Sequence, residues 1–113
     1  MSDMNLMVES HDSGDWTVVD VKGEIDLYTA PRLKEELTGL VGEDRNRIVV
    51  NLEEVGFMDS TALGVLIGAL KRCRERDGDL SLAAPSETIQ KVLRVTGLDK
   101  VFPVHGSVAE ATA

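Results

Sequence analysis

Basic residues are in short supply: twelve lysines and arginines stand against twenty aspartates and glutamates, for a formal net charge of −8. A nucleic-acid binder needs a basic stripe to meet phosphates, and the one basic cluster, Lys71, Arg72, Arg74 and Arg76, is short. Direct binding to DNA or RNA is therefore not expected. The acidity serves solubility, or a partner with a basic face. Cysteine is nearly absent; Cys73 stands alone, so no internal disulfide can form, which fits a reducing compartment. With two phenylalanines, one tyrosine and one tryptophan, the core has to be aliphatic. Long apolar runs are missing too. The longest, Ala62 to Leu70, contains two glycines and is too short to span a bilayer. The opening MSDMNLMVES has neither the positive n-region nor the apolar h-region of a signal peptide. The expectation is a cytoplasmic protein without membrane attachment.

What is present suffices for one globular domain. The chain has 113 residues, 42% of them hydrophobic, and shows no internal repeat or second composition. A single domain over 1–113, with a core of about 5–104, is expected. Leu6–Val8 and Trp16–Val21 flank a Gly-containing turn and read as a β-hairpin. Gly23-Glu24-Ile25-Asp26 reads as a loop. Thr29 is placed to cap a helix with Pro31 in its first turn, Leu33, Leu37, Leu40 and Val41 on its inner face and Gly42 as its stop. Arg47–Leu52 is a nearly continuous apolar run, as in a strand covered on both faces. Glu53 to Ser60 follows as a connection, then a helix from about Thr61 to Arg76 with Leu63, Leu66, Ile67 and Leu70 inward. Leu80–Ala83 is a further strand. Pro85-Ser86-Glu87 opens a helix that buries Ile89, Val92 and Leu93 and stops at Gly97. Val101–Val104 is expected as a short edge strand, where Pro103 is tolerated, and Ser107–Ala113 as a last helical turn or two. The order ββαβαβα, then a short strand and helix, predicts an α/β fold with a mixed, mostly parallel sheet.

Catalytic constellations are missing. His11 and His105 lie near opposite ends of the chain with no acid or cysteine at ligand spacing, so no metal is expected. Ser60 is not in a G-x-S-x-G elbow, and neither phosphate-binding glycine motif occurs. A phospho-aspartate receiver would need paired acids at the end of its first strand, which Val21-Lys22-Gly23 does not offer. Cys73, beside an apolar stripe, reads as a buried core thiol, although Lys71, Arg72 and Arg74 would lower its pKa were it exposed. The chain is not expected to be an enzyme or to carry a cofactor.

The segment Phe57-Met58-Asp59-Ser60-Thr61-Ala62-Leu63-Gly64 reads in two ways. In one, Asp59 or Ser60 merely caps a helix. In the other, two adjacent hydroxyls follow an apolar pair, and Ser60, Gly64 and Gly68 recur every fourth residue along one helix face. That face, almost bare of side chains, either packs closely on the protein's own sheet or admits another backbone.

Phe57 to Leu66 resembles the phosphorylation-site motif of the anti-sigma factor antagonists, members of the STAS domain family. Gly23-Glu24-Ile25-Asp26-Leu27-Tyr28-Thr29-Ala30 looks like that family's loop ahead of its first helix, and Val95–Leu98 and Val101-Phe102 are similar to its C-terminal part. The resemblance covers nearly the whole chain from the hairpin to Val104. It implies a mixed sheet with helices packed mainly on one side. It further implies a partner switch: the unphosphorylated protein binds an anti-sigma factor that is also a serine kinase, freeing a sigma factor for transcription. ATP is used by that kinase. Phosphorylation, here at Ser60, releases the partner, and a PP2C-type phosphatase resets the switch. By the same resemblance, Asp26, Thr29, Met58, Asp59, Thr61 and Gly64 form the partner-binding surface, Thr61 doubles as a minor acceptor, and the protein is a monomer. Ala62 departs from the glycine frequent at its position, which is tolerated but bears on which kinase fits. The alternative within the family is a nucleotide- or ligand-sensing scaffold in a stress-signalling complex.

Overall fold

A computed structural model describes residues 6–113. Strands β1 (Leu6–Ser13) and β2 (Trp16–Ile25) form an antiparallel hairpin. Gly14, first of its two loop residues, has φ 63, a conformation that glycine enters without strain and that matches the strand twist. Three crossovers follow. Helix α1 (Ala30–Gly42) leads to β3 (Arg47–Met58), α2 (Ser60–Arg74) to β4 (Asp79–Ala83), and α3 (Glu87–Val95) with a 3₁₀ turn (Leu98–Lys100) to β5 (Val104–His105). Helix α4 (Val108–Ala111) ends the chain. The five strands lie in the order β1-β2-β3-β4-β5, and all pairs but the first are parallel.

Alternation along β3 divides the interior. Ile48, Val50 and Leu52 point to one face, where Leu33 and Leu37 of α1, Leu66 and Leu70 of α2, and Ile89 and Leu93 of α3 complete the main core. Val49 points to the other and meets Val18, Ala83 and Ala111 of α4. Three helices thus share one face and a single short helix touches the other. Each large aliphatic side chain taken from water here contributes on the order of 2 kcal/mol.

Several boundaries differ from expectation. Gly23–Ile25 is strand rather than loop, and β3 continues through Met58. Against β2, β3 carries two extra residues, because Asp20 pairs with Asn51 but Lys22 with Glu54, and Gly23 with Val55 but Glu24 with Phe57. These bulges space the buried residues Leu52, Val55 and Met58 in threes. At the end of α1 the left-handed residue is Asp44, φ 64, and Gly42 is still helical. Gly97, φ 77, does take that role after α3. The edge strand is confined to Val104–His105, since Phe102 turns into the core. Cys73 is buried as expected; desolvation, and behind it Asp79, pushes its thiol up to about 11, with Arg72 opposing.

Candidate functional site

The parallel strands β2 and β3 finish side by side, Ile25 opposite Met58. The next residue of β3's chain, Asp59, donates its N–H to the Ile25 carbonyl at 3.2 Å, and the chain turns into α2. Asp59 is extended, with φ −103 and ψ −173, and its carboxylate accepts the Ala62 N–H at 3.0 Å. Its carbonyl accepts the Leu63 N–H at 3.2 Å. Asp59 is therefore the cap, and Ser60, the first helical residue, is exposed. Elsewhere serines cap for themselves: Ser86 accepts from the Ile89 N–H at 3.3 Å and Ser107 from the Glu110 N–H at 3.1 Å.

The loop from β2 to α1 lies beside this turn and is tied by its own residues. One oxygen of the Asp26 carboxylate accepts the N–H groups of Tyr28 at 2.9 Å and Thr29 at 3.0 Å, and stands 3.2 Å from the Thr29 hydroxyl. That hydroxyl accepts the Asp26 N–H at 2.9 Å and donates to the Glu24 carbonyl at 2.7 Å. These donors, the Thr29 N–H first, hold the Asp26 carboxyl below its ordinary value against the opposing pull of partial burial.

Of the residues expected at one surface, Asp26, Asp59, Ser60 and Thr61 do come together at this end of the sheet. Gly64 follows one turn into α2, exposed, and a Cβ placed on it would meet nothing within 4 Å. At Gly68 only the Arg72 guanidinium comes near, at 3.6 Å. The bare face of α2 thus points away from the protein's own sheet. Two expectations are corrected. Met58 belongs to the core at 5% exposure, because the bulged strand turns it inward. Thr29 is buried, and its hydroxyl points back to the loop instead of capping α1. Ala62 is buried as well, so its methyl reaches the core and cannot touch a kinase directly. Sequence reasoning gave no role to Leu27, Tyr28 and Phe57, which stand exposed around this turn. The signals for them were the apolar pair between Asp26 and Thr29, outside any helical or strand period, and the apolar pair Phe57-Met58 ahead of the two hydroxyls.

A model of the STAS domain matches residues 5–111. The anti-sigma-B factor antagonist of Staphylococcus aureus is 38% identical over 102 residues, which cover 90% of this chain and 94% of that one. The crystal structure of an anti-sigma factor antagonist from Mycobacterium paratuberculosis superposes with a TM-score of 0.88 at 28% identity, over 98% of this chain and 93% of that one. The Bacillus cell fate determinant SpoIIAA in its phosphorylated form shares the fold, with a TM-score of 0.72 at 23% identity over 94% of this chain and 95% of that one. The chain belongs to the STAS domain family, among its anti-sigma factor antagonists.

Proposed function

We propose that this protein is a cytoplasmic antagonist that binds an anti-sigma serine kinase and is switched off by phosphorylation of Ser60. One observation carries the reading: Asp59 does the capping of α2, so the hydroxyl of Ser60 is spared that duty at an exposed helix start. A helix-capping serine is engaged with backbone N–H groups; Ser60 is presented to a kinase instead.

The same geometry favours a phosphate. It adds about two negative charges at the N-terminus of α2, where the N–H groups of Ser60 and Thr61 have no intrahelical acceptor and the helix dipole favours an anion. The fold tolerates the modification, and its effect falls on the partner. Asp59 already places one carboxylate beside Ser60, and a doubly charged group added next to it in a closed interface meets repulsion and desolvation. Driving a nanomolar complex into the micromolar range takes about 4 kcal/mol. A PP2C-type phosphatase restores the binding form.

The test uses the organism's anti-sigma serine kinases, each purified and mixed with this protein and Mg-ATP, with intact mass and complex formation followed together. Wild type is expected to gain one phosphate and leave the complex, while Ser60→Ala binds and gains none. Unchanged phosphate uptake by Ser60→Ala sinks the assignment.

A further inference from the structure

Leu27 is 61% exposed, Tyr28 86% and Phe57 46%. Isolated apolar residues on a surface are ordinary, but three exposed ones gathered at one pair of strand ends are not. These three lie within three residues of the paired ends Ile25 and Met58, from which Ser60 also departs. Leu27 and Tyr28 are not on a slack loop. The Asp26 carboxylate binds the Tyr28 and Thr29 N–H groups, and the buried Thr29 hydroxyl ties the loop to Asp26 and Glu24. A tyrosine held out from a fixed backbone offers a large contact area with few torsions to freeze on binding, and tyrosine is enriched among the residues that dominate interfaces. Glu24, opposite Phe57, Asp26, whose carboxylate accepts the Tyr28 N–H, and Asp59, bonded to the Ile25 carbonyl, bring three acidic residues to the same strand ends, so a surface that receives Tyr28 should be apolar inside and basic at its rim.

We infer that Tyr28, supported by Leu27 and Phe57, is the anchor by which the anti-sigma kinase holds this protein, seated in an apolar cleft with a basic rim. The identity of that partner rests on the Ser60 reading; the division of labour is new. The apolar anchor supplies affinity, and Ser60 supplies the means of ending it. Asp26 and Thr29 act as positioning residues that keep the anchor extended.

Calorimetric titration of the kinase with Tyr28→Ala, Phe57→Ala and Ser60→Ala tests the anchor, with melting temperature and phosphate uptake measured on each. Tyr28→Ala is expected to lose tenfold or more in affinity at an unchanged melting temperature. Its phosphorylation should show a raised KM and little change in kcat. A photo-crosslinking amino acid at position 28 should join the kinase. If Tyr28→Ala and Phe57→Ala both bind within twofold of wild type while Ser60→Ala blocks phosphate uptake, the anchor is wrong and the Ser60 reading stands. Weakened binding without any crosslink also overturns it, since position 28 would then act only within its own loop. If Ser60→Ala still takes up phosphate but Tyr28→Ala loses affinity, the switch assignment falls and the anchor survives. A wild-type protein that binds no kinase overturns both.

Discussion

Where β3 and β4 begin, Gly78 lies so close to the loop from α1 into β3 that a Cβ would stand 2.0 Å from the Asn46 carbonyl oxygen. One turn into α2 from the opposite end of the sheet, a Cβ on Gly64 would touch nothing within 4 Å. Around Gly78 the charged side chains and the backbone are matched, although the buried Asn46 Oδ1 has no hydrogen-bond partner. The Asn46 carbonyl accepts the Asp79 N–H at 3.0 Å, Arg76 reaches Asp44 at 3.3 Å, Arg74 reaches Asp79 at 3.0 Å, Arg45 pairs with Asp12, and Arg47 lies 4.9 Å over the Trp16 ring. Asp44 and Asp77 even hold left-handed backbones there, at φ 64 and 63. Around Ser60 the backbone is equally well tied, yet Leu27, Tyr28, Phe57 and Ser60 itself stand exposed. Glycine thus stands in opposite settings at the two sites, a close approach within the molecule at one and an open helix surface at the other. The ion pairs around Gly78 are exposed and each contributes little, so the backbone fit is what holds that end together.

The same substitution at the two glycines separates these roles most sharply. Gly78→Ala should cost about 3 kcal/mol, since a backbone oxygen cannot yield as a flexible side chain can, and urea unfolding would read this as a lower midpoint at unchanged slope. A midpoint within error of wild type would mean that the start of β4 shifts freely. Gly64→Ala should change sign, stabilising the exposed helix by up to about 1 kcal/mol while weakening the kinase complex. Tighter or unchanged binding would show that the bare face of α2 is not approached closely. The smallest effect concerns Asp26. Its folded pKa is depressed, so its contribution to stability is full above the ordinary carboxylate value and is lost as pH falls through the depressed one. The difference in melting temperature between wild type and Asp26→Asn should therefore be constant near neutrality and shrink below about pH 4. A difference that persists undiminished to pH 2 would remove the carboxylate charge from the loop's stability.

The order of strands and helices was legible because each crossover helix carries its own apolar period. The ends of β2 and β3 were not. Bulges break the two-residue alternation around Glu53-Glu54-Val55-Gly56, and a stretch with two acids and a glycine looks like a loop unless its partner strand is known. The same bulges hid the burial of Met58. The start of α2 near Ser60 was legible, but whether Asp59 or Ser60 caps it depends on the extended backbone at Asp59, which local composition leaves open. Thr29 was misplaced for a related reason: a hydroxyl ahead of a helix can face forward to the helix or back to the loop, and here Glu24 and Asp26 draw it back.

The burial of Cys73 has a practical consequence. With its thiol pushed up to about 11, the reactive thiolate is on the order of one molecule in ten thousand at neutral pH, and the surrounding α2 core shields even that fraction. The wild-type chain therefore behaves toward thiol reagents as though it had no cysteine. A single cysteine introduced at position 28 or 64 would be the one labelled group on the molecule, so a fluorophore or spin probe could report partner arrival and departure in real time without first engineering the native sequence.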